Sequence, residues 1–125
     1  MHTEHAQLDN LNVEQQEVLI TPEQLKLKLP VSEKVRSAVN GYRETVRNIV
    51  DRQDPRMLVV VGPCSIHDVE AAKEYAERLK NLSDEVADQI FIAMRAYFEK
   101  PRSTVGWKGL INDPFLDDSF KVAQG

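Results

Sequence analysis

Apolar residues in this chain follow two different spacings. Val35, Ala38, Val39, Tyr42, Val46, Ile49 and Val50 recur at steps of three and four, which lines one face of an amphipathic helix running from Ser32 onward. Val69, Ala72, Tyr75, Ala76, Leu79 and Leu82 repeat the pattern, with Asp68 placed to cap the helix they predict. By contrast, residues 57–61 and 90–94 are continuous apolar runs, Met-Leu-Val-Val-Val and Ile-Phe-Ile-Ala-Met. Such runs predict short strands buried on both faces, as in a parallel sheet. Residues 57–94 therefore predict one βαβ unit.

Turn and cap residues set the boundaries. Thr21, Pro22 and Gln24 form a helix start, with Thr as N-cap, Pro at the first helical position and Gln as capping-box partner. Pro30 stops that helix early. Gly41 weakens the long helix slightly, and Asp54-Pro55 is expected to end it. Gly62-Pro63 ends the first strand. Residues 97–114 read as a polar loop containing Pro101, Gly106 and Gly109, and a further helix is expected near Asp117. Residues 1–20 are mostly polar, and only 13–20 look able to pack as a short extended segment. The organisation expected is an arm and short helix over 1–31, an amphipathic helix over 32–54, and β/α units over 55–125.

Composition narrows the class. With 125 residues, 42% of them hydrophobic, the chain has the size of one soluble domain, roughly 100–200 residues. A net charge of -4 gives no general reason to bind nucleic acid or an anionic membrane, both of which reward clustered positive charge. The single cysteine excludes an internal disulfide, and no apolar stretch approaches the roughly 20 residues needed to cross a bilayer. The opening residues lack the apolar centre of a secretory signal, so a cytoplasmic location is expected.

In parallel α/β proteins, ligands gather beyond the carboxyl ends of the strands. Here the first strand leads into Gly62-Pro63-Cys64-Ser65 and the second into Arg95. Neighbouring strands lie only about 4.8 Å apart, so adjacency would turn Cys64 and Arg95 toward one cavity. Lys100, Arg102 and Lys108 follow, with Glu99 as the nearby acid. An acidic chain thus concentrates positive charge at one end, and the mixture of rigid Arg forks and mobile Lys charges suits a small substrate bearing phosphate and carboxylate. Residue types alone leave alternatives open. Cys64 can be a packing residue, a metal ligand or, with His67, a nucleophile. His67 can be a loop residue, Asp68 a simple cap, the basic loop a solvated surface, and Tyr97 and Trp107 packing residues.

The wording of the loops is more specific. Residues 58–68 (Leu-Val-Val-Val-Gly-Pro-Cys-Ser-Ile-His-Asp), 94–102 (Met-Arg-Ala-Tyr-Phe-Glu-Lys-Pro-Arg) and 104–114 (Thr-Val-Gly-Trp-Lys-Gly-Leu-Ile-Asn-Asp-Pro) closely resemble the bacterial 3-deoxy-D-arabino-heptulosonate 7-phosphate (DAHP) synthases. The resemblance runs from about Pro55 to the end, and more weakly back through Thr21-Pro22-Glu23-Gln24-Leu25. It implies an α/β fold in which helices and an arm precede the first βαβ part of a (β/α)8 TIM barrel, incomplete because such barrels take about 250 residues.

The resemblance also implies a reaction, the condensation of phosphoenolpyruvate with erythrose 4-phosphate that opens aromatic amino-acid biosynthesis, and a requirement for a divalent metal such as manganese or iron. By resemblance, Cys64 is one metal ligand, with the others outside this chain. Arg95 and Lys100 match residues that hold phosphoenolpyruvate, with Lys100 also a proton-transfer candidate, and Pro101 falls among the substrate-binding residues. Arg102 and Ser103 match contacts to erythrose 4-phosphate, with Ser103 standing where many relatives carry Thr. In regulated members the arm contributes to subunit contacts and to inhibition by an aromatic amino acid, and Asp9 and Asn10 loosely match effector-site residues. A homo-oligomeric parent is expected. The alternative is a non-catalytic phosphoenolpyruvate-binding or regulatory module of the same descent.

Overall fold

The computed structural model describes residues 18–101 and 105–125. Helix α1 spans Pro22–Lys28, α2 Glu33–Val50 and α3 Val69–Glu85, while β1 is Met57–Val61 and β2 is Ile90–Met94. Each helix begins on a side-chain oxygen. Thr21 and Gln24 close the expected capping box, with the Gln24 N–H on Thr21 Oγ1 at 3.2 Å and the Thr21 N–H on Gln24 Oε1 at 3.0 Å. Ser32 caps α2 through the Val35 N–H, and Asp68 caps α3 through the Ala71 N–H at 2.9 Å. These bonds satisfy donors that the first helical turn leaves free.

The helix α2 stops at Val50, ahead of Asp54-Pro55. Arg52 adopts a left-handed conformation with φ 59°, and the Gln53 N–H turns back to the Asn48 carbonyl at 2.8 Å. The reversal, rather than proline, ends the helix. The helix expected near Asp117 does not form. Asp117 Oδ1 accepts from the Ser119 N–H at 3.0 Å, and Leu116, Asp118 and Phe120 are left-handed, with φ 56°, 58° and 50°. Alternate left-handed residues cannot sustain an i to i−4 ladder, and the Asp side chain supplies a turn instead.

Strands β1 and β2 are parallel and in register from Met57 opposite Ile90 to Val61 opposite Met94. The crossover is α3, which packs on β2, while α2 packs on β1. Tyr42 of α2 tilts against Phe91 of β2, ring centroids 6.1 Å apart. Burial departs from the expectation for the strands. Val60 is 66% and Met57 65% exposed, because three helices and two strands do not cover both faces of the sheet. Between α2, α3 and β2 lies a groove of 680 Å³ walled by Tyr42, Val46, Ala76, Leu79 and Phe91.

One ion pair anchors the sheet at its amino end. Arg56 meets Asp54 as a fork, Nε to Oδ1 at 3.0 Å and Nη2 to Oδ2 at 2.7 Å. Its Nη1 donates to the Ala87 carbonyl at 3.2 Å, and its guanidinium lies 5.6 Å from the Phe91 ring centroid. The helix-surface pairs, such as Glu44 with Arg47 and Glu70 with Lys73, are far more exposed and contribute little.

Two outcomes follow from this packing. The exposed apolar sheet should make the isolated chain bind a hydrophobic dye and elute as associated species, with Val60→Lys reducing both effects; a dye-silent monomer would contradict the exposure. The side-chain hydrogen bonds from Arg56 hold the Asp54 carboxyl below its ordinary 3.8, helped by the Arg56 N–H and opposed by burial. The stability this pair supplies is therefore complete above 3.8 and lost as pH falls through the lowered folded value. A carbon-13 titration of the Asp54 carboxyl should show the depressed midpoint, and Arg56→Gln should return it toward the ordinary value.

Candidate functional site at the carboxyl ends of the strands

Parallel pairing brings the carboxyl ends of β1 and β2 side by side, and the loops that leave them continue to pair. The Arg95 N–H donates to the Val61 carbonyl at 2.8 Å, one step past the sheet. Gly62 then lies flat on Arg95. A Cβ at Gly62 would stand 2.7 Å from the Arg95 carbonyl oxygen and 2.9 Å from its nitrogen, so the approach requires glycine. Two residues beyond Arg95, the Tyr97 carbonyl accepts from the Ile66 N–H at 2.8 Å. Ile66, at 7% exposure, is the one buried hydrophobic side chain among those described.

Three of the candidate side chains singled out in the sequence, Cys64, Arg95 and Lys100, come together on this zipped pair of loops. Arg95 Nη2 donates to the Cys64 carbonyl at 3.2 Å, and Lys100 Nζ lies 3.7 Å from Cys64 Sγ. The Arg95 guanidinium also lies over the Tyr97 ring, its Cζ 4.2 Å from the ring centroid. Cys64 is exposed, as are Arg95 and His67, while Lys100 is half-buried. Pro101 follows at the edge of the described residues. Arg102, Ser103, Asp9 and Asn10 lie outside them.

A third segment supports Lys100 from below. The Lys100 N–H donates to the Lys108 carbonyl at 2.6 Å and the Ile111 N–H to the Phe98 carbonyl at 3.2 Å. Gly109, with φ 125°, passes so close beneath the Phe98 carbonyl and Glu99 that no side chain fits. Trp107 Nε1 donates to the Asp113 carbonyl at 2.8 Å, and Asp113 is only 1% exposed. Asp113 Oδ2 accepts from the Asp118 N–H at 3.2 Å, which secures the turn that replaces the expected helix.

A guanidinium, an ammonium and a thiol thus meet on one wall. The two cations can hold a small carboxylate or phosphate. Sequence reasoning took Tyr97 for a packing residue; its spacing from Arg95 was the missed signal, since residues i and i+2 of an extended chain share a side. For a metal, Cys64 offers one donor. No group of three or more His, Cys, Asp or Glu side chains able to hold an ion occurs among the described residues, so a divalent ion needs ligands from elsewhere. No described helix is long and apolar enough to cross a membrane.

The geometry agrees with what comparison finds. The model of the DAHP synthetase I family matches residues 17–125. The chain belongs to that family. Among DAHP synthetase I relatives, the Tyr-sensitive phospho-2-dehydro-3-deoxyheptonate aldolase of Escherichia coli is 52% identical over 118 residues, covering 94% of this chain and 33% of that protein. The Phe-sensitive enzyme of the same organism is 50% identical over 119 residues, covering 95% and 34%. The solved phospho-2-dehydro-3-deoxyheptonate aldolase of Francisella tularensis superposes with a TM-score of 0.82 at 46% identity, over 90% of this chain and 33% of that one. The chain therefore spans about a third of the length of the DAHP synthetase I proteins it matches.

Gly62 gives this geometry a direct test. Gly62→Ala should separate the two loops and destabilise the fold by about 1–3 kcal/mol, read as a lower urea midpoint by circular dichroism. Gly41→Ala, in the middle of α2 with nothing within 4 Å, should instead stabilise by roughly 0.5–1 kcal/mol.

Proposed function

We propose that this chain supplies the phosphoenolpyruvate-binding wall of a DAHP synthase. The observation that carries the reading is the convergence of Arg95, Lys100 and Cys64 beyond two parallel strands, in a chain of this family. In this reading, β1, α3 and β2 are opening units of a (β/α)8 barrel. The reaction condenses phosphoenolpyruvate with erythrose 4-phosphate and water to DAHP and phosphate, the first step of the shikimate pathway. C3 of phosphoenolpyruvate attacks the aldehyde carbon, the aldehyde oxygen takes a proton, water adds at C2, and phosphate leaves as the C2 ketone forms.

The residues divide the work. Arg95 and Lys100 bind and orient phosphoenolpyruvate with Pro101 shaping the turn, and Lys100 Nζ is the proton-transfer group beside the reacting carbons. Arg102 and Ser103 receive the phosphate of erythrose 4-phosphate. Several cations in one place offset the repulsion between two anionic substrates and hold their reacting atoms together. Cys64 serves as one ligand of a divalent metal whose remaining ligands lie outside this chain. Residues 1–31, with Asp9 and Asn10, contribute to subunit contacts in a homo-oligomer and to feedback by an aromatic amino acid. The single thiol donor among the described residues also fits a module that binds phosphoenolpyruvate without turning it over.

A chimera separates these readings. The 118 matching residues of this chain replace their counterpart in the Escherichia coli Tyr-sensitive relative, and DAHP formation is measured with both substrates and manganese. Turnover is expected. Cys64→Ala should then lower it by more than the roughly 10- to 100-fold that even an outer-shell metal partner costs, and Arg95→Ala should raise the KM for phosphoenolpyruvate. A folded chimera that binds phosphoenolpyruvate but forms no DAHP would favour the non-catalytic module.

A further inference from the structure

An arginine that binds an anion must first give up rotamer freedom, and a guanidinium already held in one plane gives up less. The structure holds Arg95 from two sides. Its Nη2 donates in plane to the Cys64 carbonyl at 3.2 Å. Its Cζ lies over the Tyr97 ring, 4.2 Å from the centroid, well inside the range of cation–π attraction. The ring's backbone is fixed in turn, because the Tyr97 carbonyl accepts from the N–H of buried Ile66 at 2.8 Å. Strand pairing fixes the other end of the short span, through the Arg95 N–H on the Val61 carbonyl at 2.8 Å.

Tyr97 is 47% exposed, and the Arg95 guanidinium lies over its ring. The contact with the ring brings no oxygen acceptor into the plane of the guanidinium. Five N–H donors lie in that plane, and the Cys64 carbonyl uses the edge at Nη2.

We propose that Tyr97 is a positioning residue that sets the plane of Arg95, so that a carboxylate or phosphate meets the guanidinium edge-on through two parallel hydrogen bonds. For phosphoenolpyruvate this rests on the reading of Arg95 given above. The ring acts through Arg95 and does not itself touch the substrate. Its loss therefore weakens capture of one anionic substrate and leaves the other substrate and the chemical step alone. The hydroxyl is dispensable, because the attraction comes from the face of the ring.

Two measurements test the assignment. In the full chain, NMR should show Arg95 side-chain protons moved upfield by the ring current of Tyr97, with the shift kept in Tyr97→Phe and abolished in Tyr97→Leu. In the chimera, Tyr97→Leu should raise the KM for phosphoenolpyruvate about tenfold, with kcat and the KM for erythrose 4-phosphate within about twofold of the parent, and Tyr97→Phe should restore the parental KM. The assignment is overturned by an absent ring-current shift, by an unchanged KM in Tyr97→Leu, or by equal losses in the Phe and Leu variants. An Arg95→Ala control separates the causes of failure. If Arg95→Ala raises the KM for phosphoenolpyruvate and Tyr97→Leu does not, only the role of Tyr97 falls. If Arg95→Ala changes nothing, the anion-binding reading of Arg95 falls and takes the role of Tyr97 with it.

Discussion

The site depends on strand pairing that continues beyond the strands. A parallel ladder normally delivers two loops that diverge as they leave the sheet. Here the Arg95 N–H on the Val61 carbonyl and the Ile66 N–H on the Tyr97 carbonyl keep the chains together for several residues more, and the missing side chain of Gly62 permits the contact. Cys64, Arg95 and Lys100 meet because of this backbone arrangement rather than because their side chains attract one another. Two cations side by side repel, and only a rigid frame or a bound anion makes their proximity favourable.

The frame is rigid where it needs to be and bare elsewhere. Around the loops, small residues and backbone bonds set the geometry, as where Gly109 passes beneath Phe98 and the Lys108 carbonyl receives the Lys100 N–H. On the sheet, Met57 and Val60 are mostly exposed and edge hydrogen-bonding groups stand open. That contrast fits a chain spanning about a third of the length of its relatives. The placing of Cys64, Arg95 and Lys100 comes from local backbone contacts that one βαβ unit can make, while burial of apolar surface is a property of many elements together.

Much of this was legible in the residues. The helices and strands were readable because the apolar spacing along 35–50 and 69–82 differs in kind from the continuous runs at 57–61 and 90–94, and the caps at Thr21 and Asp68 follow from oxygen-bearing side chains before helical patterns. What escaped were features set by backbone reversal and by tertiary surroundings. Arg52 ends α2 in a left-handed turn, where Pro55 had seemed the natural stop, and left-handed residues from Leu116 to Phe120 replace a helix. The strand runs announced burial that two strands cannot supply. At the site, parallel register made the meeting of Cys64 with Arg95 foreseeable, whereas the approach of Tyr97 to Arg95 was signalled only by their i, i+2 spacing on an extended segment.

The βαβ unit is tied at both ends by arginine donating to a backbone carbonyl. Arg56 reaches Ala87 near the start of the strands, and Arg95 reaches Cys64 past their ends, each tie spanning 31 positions of sequence. Once one tie has formed, the loop entropy for the other is largely spent, because the same strands are already side by side. The two ends should therefore close and open together, so that the loops carrying Cys64 and Arg95 behave as a single cooperative unit rather than as a mobile loop on a fixed support.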